Sequence, residues 1–347
     1  MNITTVGLDL AKAVFQVHGV DMRGKVKIRK QLKRSQVSAY FAQLPACLIG
    51  MEACGGAHFW ARKLTELGHT VKLMAPQFVK PYVKTNKNDV ADAEAICEAV
   101  GRPNMRFVPI KNIDQQALLS SHRVRQGFVR ERTAQVNQIR GLLAEFGIVM
   151  PVGIRSIEGK LPGILEDAEN GLSGASRSLF ARLFEHFRAL DRHVKEIERE
   201  INAWHRDNAD SQRLEAIPGI GPLTASALVA SVGNAHAFRN GRQFAAWLGL
   251  VPRQCSSGGK NTLLGISKRG DTYLRTLLIH GARAVMQTLH RQPNQADGWL
   301  ARVTQRRHSN VAAVAFANKN ARIVWALLAH GRKYQAEYRL TPSIAMA

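Results

Sequence analysis

Acidic residues are scarce in this chain. Asp and Glu number 26 against 49 Lys and Arg over 347 residues, a formal net charge of +23. Such a balance favours a polyanionic partner, and nucleic acid is the usual one. A merely basic surface is the plainer alternative. Cysteine is scarcer still. Cys47, Cys54, Cys97 and Cys255 form no C-x-x-C pair and have no His cluster at zinc spacing, which argues against a zinc site. They read as reduced, mostly core thiols of a cytosolic protein. No run of about 18 apolar residues occurs, so no membrane span is expected. The first apolar stretch carries Asp9 and Lys12, which argues against a signal peptide. What remains is a soluble globular chain, 45% apolar and 22% charged, long enough for two or three domains.

The pattern along the chain changes character near residue 110. "ITTVGLD" (3–9) is rich in β-branched residues and predicts a strand ending in an acid. "VFQVHGVDMRGKVKIRK" continues it as a hairpin turning at "DMRG". "ACLIGMEACG" (46–55) predicts another strand, also ending in an acid, Glu52. A helix follows at 58–68, a strand at 69–76, a basic loop "QFVKPYVKTNK", and a helix from about Asp89. Strands alternating with helices predict an α/β domain over roughly 1–110. Residues 113–147 read as one long helix studded with arginines, and 175–206 as a second, with a Gly/Pro-rich break at 147–164. Two such helices predict an antiparallel hairpin or coiled-coil arm, or else two helices of a bundle. From 211 onward the pattern is helical and very basic. That stretch holds 18 Lys and Arg against 4 acids, a net +14. Charge so concentrated fits a binding face better than a solubility coat.

The few acids are grouped. Asp9 and Glu52 each close a strand, and strand ends are where α/β sheets build sites. Asp89 and Asp92 share the first turn of a helix, where like charges at i and i+3 repel. One reading is a cap, with Asp89 at the N-cap and Asp92 helped by the helix dipole. The other is a site for one or two Mg²⁺ ions, because hard divalent cations take carboxylate oxygens and clamp phosphoryl transfer.

A second constellation lies in the basic half. "IPGIGPLTASALVASVG" (217–233) matches a helix-hairpin-helix pattern. Gly219 and Gly221 would let backbone N–H groups approach a phosphate, or simply make a tight helix–helix connection. "QCSSGGK" then sets Ser256 and Ser257 beside Gly258, Gly259 and Lys260 in a Gly-rich loop, ahead of "GISKRGDTYLR". Lys260, Lys268, Arg269 and Arg275 could hold a scissile phosphate. The serines could be hydrogen-bond donors to that phosphate or, if activated, a nucleophile. No Ser-His-Asp order stands out, so acyl chemistry is not indicated.

Taken together, "GLDLAK" (7–12), "MEACGG" (51–56), "KNDVADA" (87–93), "IPGIG", "QFAAWLGLVPRQCSSGGK" and "GISKRGDTYLR" resemble, in order and spacing, the DEDD-type transposases of insertion sequences, a bridge-RNA-guided recombinase family. The resemblance covers nearly the whole chain. It implies a RuvC-like (RNase H-like) α/β domain over 1–110 in which Asp9, Glu52, Asp89 and Asp92 bind Mg²⁺. It implies a helical, coiled-coil oligomerisation arm over 111–208. An all-α transposase domain with the helix-hairpin-helix motif would occupy 209–335, and a tail 336–347. Ser257, with Ser256 as its neighbour in register, would attack the DNA backbone and form a phosphoserine link. Lys87, Gly219, Gly221, Lys260, Lys268, Arg269 and Arg275 would contact nucleic acid. The implied partners are donor and target DNA, a structured guide RNA and further copies of the chain as dimer or tetramer, in a bacterial cytoplasm at the nucleoid. Two other functions compete: a metal-dependent Holliday-junction nuclease in which water attacks, and a non-catalytic nucleic-acid binder.

Overall fold

The computed structural model describes residues 2–84, 86, 88–291 and 298–336. The chain forms two compact units, Met1–Gln115 and Gln116–Ala347, and each is described by itself.

The first unit is a six-stranded mixed sheet. Its strands are β1 (Thr5–Leu10), β2 (Val14–Val20), β3 (Val26–Lys33), β4 (Leu48–Glu52), β5 (Thr70–Met74) and β6 (Phe107–Val108), in the order β3-β2-β1-β4-β5-β6. β1, β4 and β5 are parallel; the remaining pairings are antiparallel. The helices are α1 (Val37–Ala42), α2 (Ala57–Glu66), α3 (Pro76–Val79) and α4 (Asp89–Val100), while α5 (Ile113–Ala144) begins here and continues into the second unit. Side chains alternate across a strand. Val6, Leu8, Ile49, Met51, Phe15 and Val17 therefore share one face, with Phe41, Trp60 and Leu64 in one buried cluster. The opposite face carries Gly7, Gly50 and Met74, and α4 covers it with Ala95, Ile96, Ala99 and Val100.

Small residues on that second face bring α4 close. A Cβ at Gly7 would stand 2.1 Å from the Ala93 carbonyl oxygen, and one at Gly50 would stand 2.7 Å from Val100 Cβ. Gly7 and Gly50 are register partners. The α4 backbone thus lies on Gly7 and the Val100 side chain on Gly50.

The second unit is mostly helical. After α5 come α6 (Ile154–Glu166), α7 (Gly174–Asp207), α8 (Ala209–Glu215), α9 (Pro222–Val232) and α10 (Gly241–Trp247). A hairpin of β7 (Pro252–Gln254) and β8 (Leu263–Ile266) follows, and then α11 (Thr272–Arg291), α12 (Trp299–Arg306) and α13 (Ser309–His330). α5 and α7 run antiparallel. Arg125 pairs with Glu198 and Arg132 with Asp191, both at 2.5 Å, so seven residues forward on one helix match seven back on the other. Val136, Ile139 and Leu143 pack with Phe180 and Phe187 beyond them.

Four expectations need correction. The Gly/Pro-rich interval 147–164 is not a plain break, because α6 occupies most of it with Pro162 inside the helix. The carboxy-terminal region is not all-α, because glycines and β-branched or apolar residues at 252–266 fold back as a two-stranded hairpin. The cysteines are not mostly core: Cys47 and Cys97 are buried and Cys54 and Cys255 exposed, all four free. And one helix does reach the length and apolarity of a membrane span, α13. In this fold its Ala312, Phe316, Ala317, Ala321 and Val324 form the centre of the second unit's core. Residues 337–347, most of the expected tail, lie outside the described residues.

Candidate active site

β1 and β4 are parallel, with Leu8 opposite Met51. One step further along each strand stand Asp9 and Glu52, level with each other at the carboxyl ends. Both lie two residues beyond a glycine of the α4-covered face, so both belong to that face. Their fields meet at the next loop. Although Cys54 is exposed as a residue, its thiol is pushed above its usual range, first by partial desolvation of the sulfur and then by Glu52 and Asp9.

α4 runs antiparallel to β1. Its Ala93 oxygen and Cys97 nitrogen lie over Gly7, and Cys97 Sγ reaches back to the Thr5 carbonyl at 3.8 Å. The amino-terminal turn of α4, with Asp89 and Asp92, therefore lies toward the carboxyl end of β1, where Asp9 stands. The cap itself is Asn88, whose side chain accepts from the Ala91 N–H at 2.8 Å. Asp89 is the first helical residue and not the N-cap, so its carboxylate is not used up in capping. Glu94 turns elsewhere: Arg29 holds it at 3.5 Å and Lys84 at 4.0 Å. Lys87 lies outside the described residues.

The structure thus joins Asp9 with Glu52, and Asp89 with Asp92, at one end of one sheet. Among the described residues no three of His, Cys, Asp or Glu stand close enough together to hold a metal ion.

In the second unit, Ser257 closes a tight turn. Its carbonyl accepts from the Lys260 N–H at 3.0 Å. Between them Gly258 and Gly259 have φ of 54° and 77°. Two successive positive φ values define a type I′ turn, which suits the twist of a two-residue hairpin and favours glycine. Ser256 Oγ accepts from Gln254 Nε2 at 3.0 Å. The exposed Ser257 hydroxyl has no hydrogen-bond partner among the described residues.

The root of the hairpin is tightly built. The Ser267 N–H donates to the Val251 carbonyl at 2.8 Å and the Lys268 N–H to the Gly249 carbonyl at 3.1 Å. Lys268 has φ 54°, alone among the described non-glycine residues in the left-handed region. A Cβ at Gly270 would stand 1.8 Å from the Trp247 oxygen. Lys260, Lys268 and Arg269 are exposed around this segment.

Two expected phosphate contacts are placed differently. Arg275 is only 8% exposed. It donates to the Leu248 carbonyl and to Thr272 Oγ1, both at 3.1 Å, and so clamps the hairpin root to α11. Gly219 (φ 85°) meets Gly281 of α11 backbone to backbone, where a Cβ would stand 2.7 Å from the Gly281 oxygen. Its freedom serves helix packing, the plainer of the two readings. Gly221 begins α9 with open space beside it.

Sequence reasoning missed Asn88, the α4-bearing glycines and the hairpin root. One signal was there to find: "GLD" and "GME" repeat a glycine two residues before the acid.

Comparison with known proteins shows the family of the chain. The family described as "Transposase IS116/IS110/IS902 family" matches residues 211–297. A DEDD transposase family of the IS110 group matches residues 6–148. A "Probable family 20 transposase" of Pseudomonas aeruginosa is 55% identical over 96% of this chain and 99% of its own. The "Transposase for insertion sequence element IS1328" of Yersinia enterocolitica is 47% identical over 95% and 98%. The transposase of element IS1111A of Coxiella burnetii is 45% identical over 96% and 92%. A DEDD nuclease domain implies a divalent metal. The four acids offer the hard carboxylate oxygens that such an ion takes, although among the described residues no three of them stand close enough together to hold it. The chain belongs to the IS110 family of insertion-sequence transposases, DNA transesterification enzymes with an amino-terminal DEDD, RuvC-like α/β domain and a mostly helical carboxy-terminal region.

Proposed function

We propose that this transposase breaks and rejoins DNA through Ser257, guided by a structured RNA, with Mg²⁺ on Asp9, Glu52, Asp89 and Asp92. The observation that carries the serine assignment is the hairpin tip. Ser257 is exposed at a rigid type I′ turn with an uncommitted hydroxyl, while the Ser256 hydroxyl already accepts from Gln254. A bound Mg²⁺ would polarise the scissile phosphate and offset the charge that builds on it.

The protein's own groups do the rest. Ser257 Oγ forms a bond to phosphorus as the bond from phosphorus to the 3′-oxygen breaks. The serine proton passes, in net terms, to that oxygen, leaving a free 3′-hydroxyl and a phosphoserine. A 3′-hydroxyl from the other DNA partner reverses the step, so the phosphodiester is conserved and no ATP is needed. Lys260, Lys268 and Arg269 hold backbone phosphates. Arg275 acts through the hairpin root as a positioning residue. In this reading the acids and the serine of different copies complete one another, and the α5–α7 pair joins copies into a dimer or tetramer. The domain division at 110, 208 and 335, the guide RNA and a nucleoid location in the bacterial cytoplasm belong to the same reading. Sequence choice is then delegated to base pairing, as in other RNA-guided systems.

Ser257→Ala is expected to abolish covalent protein–DNA adducts on a denaturing gel, with Ser256→Ala retaining them. Adducts that survive Ser257→Ala overturn the assignment. RNA copurifying with the protein is expected to be a discrete species encoded beside its gene; random cellular RNA overturns the guided reading.

A further inference from the structure

Between Asp21 and Glu52 the chain carries seven Lys and Arg and no acid. Part of that charge has a plain use. β3 is an edge strand, and charged edges block pairing with other chains. This accounts for Lys27 and Lys30 along the strand. It does not account for the cations at its end.

There the first unit has a shallow groove of about 900 Å³ lined by Lys12, Lys33, Arg34, Phe59 and Trp60, with no acid in its wall. Its floor is aromatic. Phe59 is 48% exposed and meets the Trp60 ring edge-on at 5.3 Å. The Arg34 guanidinium lies 5.3 Å from the Trp60 ring centre and 5.7 Å from that of Phe15. Arg34 is held in place by its N–H, which donates to the Ala13 carbonyl at 2.9 Å.

The position of this groove relative to the acids follows from topology. Lys12 stands three residues past Asp9, and Phe59 seven past Glu52. β1 and β4 are parallel, so both loops leave the same end of the sheet. Phe15 pairs with Leu10, so the aromatic floor belongs to the face opposite Asp9. A chain-like ligand passing around the sheet end would touch both.

We infer that this groove binds an unpaired stretch of nucleic acid, with backbone phosphates on Lys12, Lys33 and Arg34 and one base on the Phe59 ring. Cations around an exposed aromatic ring are the pattern that holds single strands, because every base has a π-face and every nucleotide a phosphate. A duplex keeps its bases stacked and would use the cations alone. The inference rests on the proposed reading in one respect: it names the chemistry of a strand held beside the acid pair.

The test uses the full-length Ser257→Ala protein in EDTA, with short oligonucleotides carrying one 5-iodouracil, as deoxyribose, ribose and duplex versions. After irradiation and digestion, mass spectrometry locates the crosslinks. Crosslinks at Phe59 or Trp60 are expected with a single strand and not with the duplex. Phe59→Ala lowers their yield about ten-fold, and Phe59→Tyr restores it. Lys33→Ala lowers the salt slope of single-strand binding by about 0.7. Crosslinking with either sugar supports the site and names the strand it takes. Crosslinks confined to other peptides, or a yield unchanged by Phe59→Ala, overturn it. If Phe59→Ala melts earlier than the parent, Phe59→Leu keeps the apolar bulk without the ring and carries the test. Since neither metal nor serine hydroxyl is used, a missing crosslink overturns the strand site alone, and missing covalent adducts overturn the serine chemistry alone.

Discussion

The acids and the serine are mounted in opposite ways. Asp9 and Glu52 stand on adjacent parallel strands at the same register level, on the face covered by a helix whose backbone rests on Gly7 and whose Val100 side chain rests on Gly50. Ser257 stands at the tip of an exposed two-stranded hairpin whose root is tied by the Ser267 and Lys268 N–H groups. A pair that must stay together against its own repulsion sits where the sheet ladder sets the spacing. The serine proposed as the nucleophile sits at a tight, exposed turn. Each side of this comparison can be broken separately.

The largest effect is expected on the acid side. Asp9→Asn and Asp92→Asn remove a charge without changing shape, and DNA cleavage should fall by about 10²- to 10³-fold, the loss typical of one electrostatic stabiliser. Gel assays with Mg²⁺ measure this, and unchanged thermal melting shows that the sheet is intact. Cleavage at parental rates would take these acids out of the catalytic site.

Next come the close backbone approaches. Gly7→Ala drives a methyl into the Ala93 carbonyl, and Gly270→Ala drives one into that of Trp247. Each should cost about 3 kcal/mol or more, because overpacking is compounded at Gly270 by its positive φ. Chemical denaturation checks both. If Gly270→Ala is harmless, the hairpin root is not the rigid mount described.

A similar effect should appear as pH dependence. His122 is buried between Tyr273 Oη (3.0 Å) and Ser226 Oγ (3.1 Å), and burial, helped by Arg125, lowers its pKa to about 4. The unfolded chain then binds a proton that the folded chain refuses. The stability from this site is fully present above about pH 6.5 and is lost as pH falls toward 4, by about 3 kcal/mol in all. His122→Gln should flatten that slope in urea titrations across the window; an unchanged slope would mean that other groups carry it.

Smaller again is Arg275→Leu, which removes two hydrogen bonds from a charged donor and should cost about 1.5–3 kcal/mol in all, because the charge that needed those bonds is removed with them. A loss of covalent adducts beyond that shown by an equally destabilised core variant would mark positioning of the serine hairpin. The smallest effect is Lys260→Ala. Melting should not change, and the salt slope of duplex binding should fall by about 0.9 if it holds one phosphate.

Legibility in the sequence tracked these two mountings. The strands ending in Asp9 and Glu52, the helix opening at Asp89 and the two long helices all announce themselves by period, because each needs only one buried face. Asn88 as the cap escaped because Asp89 is an equally good capper by type. The hairpin escaped because three- and four-residue strands are too short to show alternation, and its Gly-Gly turn reads as generic loop. Arg275 escaped because burial of a charge depends on carbonyls that the local sequence does not reveal.

By itself, then, the amino-acid sequence determined the strand and helix periods, the concentration of charge and the few places where acids stand, since these follow from side-chain chemistry and local spacing. Only the tertiary structure decided that two glycines admit α4 against the sheet, that Arg275 turns inward, that Gly219 serves Gly281, and that the Ser256 hydroxyl accepts from Gln254 while that of Ser257 has no partner among the described residues. Those outcomes depend on which backbone lies opposite in space, and a linear pattern does not encode that distance.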